Sequence, residues 1–269
     1  MNIEEIKLMI ANGKSNEDMM KILNYKTISG FKSFCHRNNI CLSELRNKTI
    51  VYPEFNDNYL CNSDKLFYLL GLIAADGTVD RPPRNRVRLL LQKADKHILD
   101  EIKQFVFKNY KNIKLYEVRN KYLSLHISDK NFVNKCLDFG IVPCKTKILK
   151  LKFEEIPNEY KWSFIRGYFD GDGSARISQS SYKHKKYKKY KRASFVGGED
   201  TMKKFSKFFI ENNIEHILKD ITSNKYSFKF FEIDINKQKD CNLFTKLIYH
   251  NSSIHLIRKF NILTEKYGV

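Results

Sequence analysis

The sequence predicts an α+β protein built from two related halves behind a small N-terminal helical unit. Three observations predict it. A motif occurs twice, as SDKLFYLLGLIAADGTV (63–79) and NEYKWSFIRGYFDGDGSARI (158–177), each an apolar helical stretch ending in Asp-Gly and followed by a strand-like segment. The stretches after each copy parse in the same way, as strand pairs with intervening helices, which is the pattern of an α+β architecture. Within them, residues 122–128 (YLSLHIS) alternate with the period of two that gives a sheet one apolar and one polar face.

The elements follow in order. Ile3, Ile6, Leu8 and Ile10 suggest a short helix stopped at Asn12-Gly13. Ser15 has the position of an N-cap with Asp18 three residues on, an imperfect capping box, and Met19, Met20, Ile22 and Leu23 give the second helix an apolar face. A third helix from Thr27 to about Asn38 carries Lys32, Ser33, His36 and Arg37. Three short helices with a basic third one resemble a helix-turn-helix; a plain helical cap is the other reading. This unit is expected over 1–48, with the polar stretch Asn56-Asp57-Asn58 as a separator. The first half is expected over 62–150 and the second over 151–269. The first half should contain strands at 86–91, 113–119 and 122–128 and helices at 95–108 and 131–139. The second should contain strands at 175–179, 192–197, 214–221 and 226–235 and helices at 201–212, 238–248 and 254–266.

Composition narrows the partner. The chain of 269 residues carries 49 Lys+Arg against 30 Asp+Glu, a formal net charge of +19. A surplus of that size resists compaction unless a polyanion neutralises it, and nucleic acid is the first candidate. No apolar run approaches the roughly 18–20 residues that span a bilayer, and the N-terminus is acidic and lacks a signal-peptide core, so no membrane partner is expected. Cys35, Cys41, Cys61, Cys136, Cys144 and Cys241 form no C-x-x-C pair and read as thiols in a reducing cytoplasm rather than a zinc or disulfide framework. A cytoplasmic location, bacterial, phage or organellar, is expected.

The paired motifs carry the chemistry. Gly71 and Ala75 are four apart, as are Gly167 and Gly171, so each helix bears a small-residue stripe that lets two backbones approach closely. If the stripes pack about a pseudo-twofold axis, Asp76 and Asp172, 172 − 76 = 96 positions apart, become neighbours. Gly77 and Gly173 are expected to end the helices in the left-handed conformation. Two carboxylates at helix C-termini repel each other and face two negative dipole ends. A hard divalent cation, Mg²⁺ rather than zinc, resolves this, and metals shared with a phosphate support in-line hydrolysis.

LLGLIAADG (69–77) and IRGYFDGDG (165–173) resemble the paired motifs of the monomeric, two-motif LAGLIDADG homing endonucleases, and the resemblance covers about 63–267. It includes the joining segment GIVPCKTKILKLKFEEIP (140–157) and the terminal NSSIHLIRKF (251–260). It implies two pseudo-symmetric LAGLIDADG αββαββα halves whose antiparallel sheets form a saddle in the major groove. It implies a monomer that cuts both strands of duplex DNA at a long asymmetric site, using Mg²⁺ (or Mn²⁺), two or three ions shared between Asp76, Asp172 and DNA phosphates. Ala74 replaces the earlier Asp of the first motif, and Asp170, at that place in the second, is given no direct metal role. The family places a basic residue beside each carboxylate, at the end of a strand before a helix. Lys93 fits that context, with Gln92 beside it, in a catalytic role; the matching stretch Gly197-Gly198-Glu199-Asp200 has no lysine, which predicts unequal cutting of the two strands.

The polar faces supply the expected DNA contacts. Arg84, Arg86 and Arg88 alternate along one strand, so Arg86, Arg88 and Gln92 share a face, and Tyr122, Ser124 and His126 oppose apolar Leu123, Leu125 and Ile127. In the second half Arg176 and Ser178 alternate with Ala175 and Ile177. Arg and Gln suit guanine and adenine edges. The basic segment 181–192, with Lys183, Lys185, Lys186, Lys188, Lys189 and Arg192, lies where a hairpin loop would join two strands and reads as tracking phosphates with some base contacts; a solvated loop, disordered until DNA binds, is the other reading. Two rival readings keep the fold without the chemistry: a maturase whose partner is its host intron RNA, and a noncatalytic DNA-binding regulator. Intact Asp76 and Asp172 argue against both.

Overall fold

A computed structural model describes residues 1–45, 52–80, 83–143, 149–182, 185–223 and 228–265. The chain divides into two compact units, Met1–Pro53 and Glu54–Val269.

The small unit has α1 (Ile3–Ala11), α2 (Asn16–Ile22), α3 (Ile28–Arg37) and the short α4 (Leu42–Leu45). Each of the first three begins at a side-chain cap. Asn2 and Glu5 form a capping box, Ser15 and Asp18 form another in spite of the shorter acid, and Thr27 accepts from the Gly30 N–H. Gly13, at φ +90, turns the chain out of α1. Ile6, Ile10, Met19, Phe31, Cys35 and Ile40 close a core of its own.

The large unit holds two copies of one plan. In the first copy α5 (Asp64–Ala75) leads into β1 (Thr78–Val79) and β2 (Val87–Gln92), then α6 (Lys96–Val106), β3 (Tyr116–Val118), β4 (Tyr122–Ile127) and α7 (Lys130–Asp138). In the second, α8 (Lys161–Asp172) leads into β5 (Gly173–Tyr182) and β6 (Lys185–Gly198). Then come α9 (Glu199–Glu211), β7 (Ile217–Asp220), β8 (Phe230–Ile235), α10 (Gln238–Tyr249) and α11 (Ile257–Thr264). Each copy builds a four-stranded antiparallel sheet, in the orders β1-β2-β4-β3 and β5-β6-β8-β7. The equivalence of the two orders is the α+β duplication expected from the repeated motif.

Strand alternation sorts the faces. Val87, Leu89, Leu91, Leu125 and Ile127 of the first sheet, and Ala193, Phe195, Ile233 and Ile235 of the second, are buried in one continuous core. α5 is apolar over most of its circumference, α8 adds the polar Ser163, Arg166 and Asp170, and the two are buried from 66 to 74 and from 163 to 170, as befits helices packed on all sides.

Two features depart from the sequence reading. The stretch Asn56-Asp57-Asn58 is no separator but part of the large unit: Phe55 bridges to Phe107 and stacks on Tyr59 at 5.5 Å, and the Asn56 amide donates to the Gln104 and Phe105 carbonyls. An aromatic pair flanking the polar triplet anchors it. The basic segment is not a loop, because Lys185 to Arg192 lie in β6, paired with β5 from Tyr182↔Lys185 through Arg176↔Arg192, with a register shift between Ser180 and Tyr182. Lys183 lies outside the described residues, as does Cys144. Cys35, Cys136 and Cys241 are buried, whereas Cys41 and Cys61 are exposed.

Candidate active site and nucleic-acid interface

The site is built on the α5–α8 pair. A Cβ at Gly71 would lie 2.0 Å from the Phe164 carbonyl oxygen, and a Cβ at Gly167 would lie 2.0 Å from the Tyr68 carbonyl oxygen. Those two contacts exchange under the same 96-position offset that relates the motifs, since 167 − 71 = 96 and 164 − 68 = 96. Reciprocity of that kind is the signature of an internal twofold axis. Gly171 meets Ala75 in the same way, with a Cβ position 2.4 Å from the Ala75 methyl and 3.4 Å from Asp76 Oδ2. Asp76 therefore abuts the residue that precedes Asp172, and both helix ends deliver their carboxylates to one place.

The glycines that follow do not act as expected. Positive φ among the glycines occurs at Gly13 and Gly140, and Gly173 is extended at φ −85, ψ 162. Close approach is what requires them. A Cβ at Gly77 would sit 2.6 Å from Ile73 Cα, and one at Gly173 would sit 2.5 Å from the Phe169 carbonyl oxygen. The chain folds directly back over the last helical turn, leaving no room for a side chain.

A buried polar frame holds the pair in place. Arg166 donates to the Ile248 and Ile254 carbonyls and to Asp64, which also accepts from Ser163 and Ser253. Asp170 accepts from the Tyr68 hydroxyl at 2.9 Å and the Leu256 N–H at 2.8 Å, and burial pushes its carboxyl up to about 6 against the opposing pull of Lys259. Asp170 thus ties α8 to the segment before α11, a framework position.

Lys259, which sequence reasoning missed, is 3% exposed. Its ammonium donates to the carbonyls of Phe169, Asp170 (2.8 Å) and Gly173 (2.6 Å), capping the end of α8. Burial lowers its pKa to about 8, while Asp170, Asp76 and Asp172 pull it up. A protein cation therefore already offsets the charge gathered at the two helix ends. Its sequence signal was a lysine in a helical apolar pattern, between buried Leu256 and Leu263.

Two clefts flank the carboxylates. One, of about 600 Å³, is lined by Asp76, Gln92, Asp95, Arg119, Tyr122 and Arg258, among others. The other, of about 290 Å³, is lined by Asp172, Tyr168, Gly197, Gly198, Glu199, Lys150 and Lys229, among others. Gln92 shares a wall with Asp76, but Lys93 does not line that cleft; it begins a short 3₁₀ turn and pairs with Glu117 at 2.7 Å. Arg258 stands in its place, its Nε facing Asp95 at 3.2 Å. The cleft that lacks a lysine at the strand end is lined by Lys150 instead, brought there because Gly140, at φ +79, has no Cβ to strike the Lys150 carbonyl oxygen 2.1 Å away.

The outer faces of the sheets carry most of the expected contact residues. Cross-strand register puts Arg88 opposite His126, Leu90 opposite Ser124 and Gln92 opposite Tyr122 on one face. Arg86 and Arg88 are both braced by Asp80, at 2.7 and 3.0 Å. Burial and these two arginines hold the His126 imidazole below its ordinary pKa. Arg84 is exposed in the turn before β2. Ser124 is 5% exposed and Tyr116, which stacks on His126 at 4.6 Å, is its cross-strand neighbour, so Ser124 is covered rather than presented. In the second sheet Arg176 and Ser178 pair with Arg192 and Tyr190, and Lys189 is exposed opposite Gln179. Arg192 is braced in turn by fully buried Asp234. Lys185, Lys186 and Lys188 contribute to β6 through their backbone positions.

No protein-family model matches the sequence, and no curated protein matches it. Solved structures do. The I-SmaMI LAGLIDADG homing endonuclease bound to cleaved DNA aligns over 75% of this chain and 87% of its own at 11% identity, with a TM-score of 0.52. The LAGLIDADG meganuclease I-AabMI bound to uncleaved DNA aligns over 73% of this chain and 87% of its own at 13% identity, with a TM-score of 0.50. The chain has the two-sheet fold of the LAGLIDADG homing endonucleases.

Proposed function

We propose that the protein is a divalent-metal-dependent DNA endonuclease that makes a double-strand break at a long, asymmetric site, acting as a monomer. The observation that carries this reading is the reciprocal glycine-to-carbonyl packing of α5 on α8, which brings Asp76 and Asp172 together between two sheets with basic outer faces.

The donor set fits a hard cation. Carboxylate oxygens suit Mg²⁺ or Mn²⁺, and among the described residues no group of three or more His, Cys, Asp or Glu gathers to hold a metal by itself. Asp76 and Asp172 would hold the ions with phosphate oxygens of the DNA completing the shell. When bound, such ions activate water and stabilise the leaving oxygen. The chain's own residues do the remainder. Gln92 offers an amide within the first cleft to orient a water. Arg258 and Lys150 place positive charge where the phosphate's charge grows, and Lys259 fixes the end of α8 so that Asp172 keeps its position. Arg88, Tyr122, His126, Arg176 and Arg192 are the proposed base and phosphate contacts.

Selection of cleaved duplexes from a randomised library with Mg²⁺, against an EDTA control, tests the activity. Asp76→Asn and Asp172→Asn are each expected to lower double-strand cleavage by at least about 10²–10³-fold while binding in Ca²⁺ persists. Cleavage at the wild-type rate in either variant would refute the assignment.

A further inference from the structure

The basic face of α3 is not used by the activity proposed above. We propose that the Met1–Pro53 unit is a second duplex-DNA-binding module, which lays α3 into a major groove. The choice of duplex DNA as its ligand rests on the nuclease reading of the large unit; the surface itself is read from the small unit alone.

α3 is two-faced. Phe31 and Cys35 are buried in the unit's own core, with Phe34 packed beside them. Ser29, Lys32, Ser33, His36 and Arg37 are exposed on the other side, recurring at the three- and four-residue spacing of one helical face. Between Tyr25 and Ile40 there is no carboxylate, whereas Glu4, Glu5, Glu17 and Asp18 stand in the first turns of α1 and α2. Glu5 and Asp18 are also engaged by backbone N–H groups of their capping boxes. Net positive charge and hydroxyl groups thus share the exposed face of α3, and the acids of the first three helices lie on α1 and α2.

The connection also suits the role. Asn24 at φ +54 and the Tyr25 N–H to Met20 carbonyl bond of 2.8 Å end α2 abruptly. The Tyr25 ring then packs on Phe34 at 5.7 Å, and Gly30, where a Cβ would come within 3.3 Å of that ring, lets the start of α3 close on the turn. Ten residues at about 1.5 Å each make a rod of roughly 15 Å, and a helix about 10–12 Å across with its side chains fits a major groove about 12 Å wide. An anionic membrane would call for apolar side chains among the cations, and the exposed positions of α3 named above are polar.

The test uses the full chain. A triple variant, Lys26→Ala with Lys32→Ala and Arg37→Ala, removes exposed cations at and before α3 without touching the core. A control, Lys7→Ala with Lys21→Ala, removes charge from α1 and α2. Duplexes are selected for binding in Ca²⁺ from a randomised library long enough to cover both units. Wild type is expected to select a long block and, to one side of it, a block shorter than one helical turn of about 10 bp. The triple variant should keep the long block and lose the short one, and its log–log salt slope should flatten by about 0.9 for each phosphate that is no longer neutralised. The control should keep both. The proposal is overturned if the triple variant retains both blocks, if the control flattens the slope as much as the triple, or if the triple instead loses only binding to anionic vesicles. A wild type that selects just the short, triple-sensitive block would uphold the α3 module and refute the reading of the large unit.

Discussion

The two halves of the large unit share a plan and differ at the strand end beside each carboxylate. The first half offers Gln92 and Lys93 there, and the second offers Gly198 and Glu199. Compared along the chain, the second half lacks a cation. Compared in space, each cleft has two among the described residues, one from its own half and one from the other. Arg119 joins Asp76 from the turn between β3 and β4, and Arg258 arrives from the second half. Lys229 joins Asp172 from the hairpin leading into β8, and Lys150 arrives from the end of the first half. The lesson is that each half is an incomplete unit, and a charge missing at one position in one copy is made good by exchange across the pseudo-twofold axis.

That comparison yields predictions in order of size. Arg258→Ala and Lys150→Ala should each slow the cutting of one strand by about 10²–10³-fold, and the strand affected should differ between them. Separately end-labelled strands decide it; the same strand slowed by both would break the exchanged-cation reading. Next, Gly71→Ala and Gly167→Ala should destabilise the fold by about 1–3 kcal/mol or more, and by similar amounts, because each drives a methyl into a backbone carbonyl of the facing helix. Unequal urea midpoints would show the helix pair to be less symmetric than its contacts imply. A third effect separates the two sheets. Arg192→Met leaves buried Asp234, among the described residues, with Lys219 at 3.8 Å as its remaining ion-pair partner, whereas Arg86→Met leaves Asp80 with Arg88 at 3.0 Å. The former should cost about 1–3 kcal/mol and the latter distinctly less in the same denaturation assay. Smallest of all, Lys93→Met should leave both strand rates within about threefold of wild type, because Lys93 forms a half-exposed pair with Glu117 and such pairs contribute only about 0–1 kcal/mol. A large single-strand loss in Lys93→Met would restore it as the cation of the first cleft.

Sequence alone determined the duplicated plan, the helix pair and its small-residue stripe, the two aspartates and the polar sheet faces. All of these follow from local periodicity or from spacing repeated along the chain, and local rules carry such information. Ser15 as a cap, the stop at Gly13 and the alternation in 122–127 were legible for the same reason. Tertiary structure decided the rest, because the deciding partner is distant in sequence. Lys259 and Asp76 are far apart along the chain, and nothing in the neighbourhood of either predicts that one offsets the other. Gly77 and Gly173 read as left-handed turns because that is the commonest local use of a glycine after a helix, but the contact that excludes a Cβ appears only when the chain folds back. The basic run in β6 read as a loop by its charge, and only the facing strand β5 supplied the backbone partners that extend it. Charge and periodicity are properties of a segment, whereas the identity of a site's second cation is a property of which segments the core brings together.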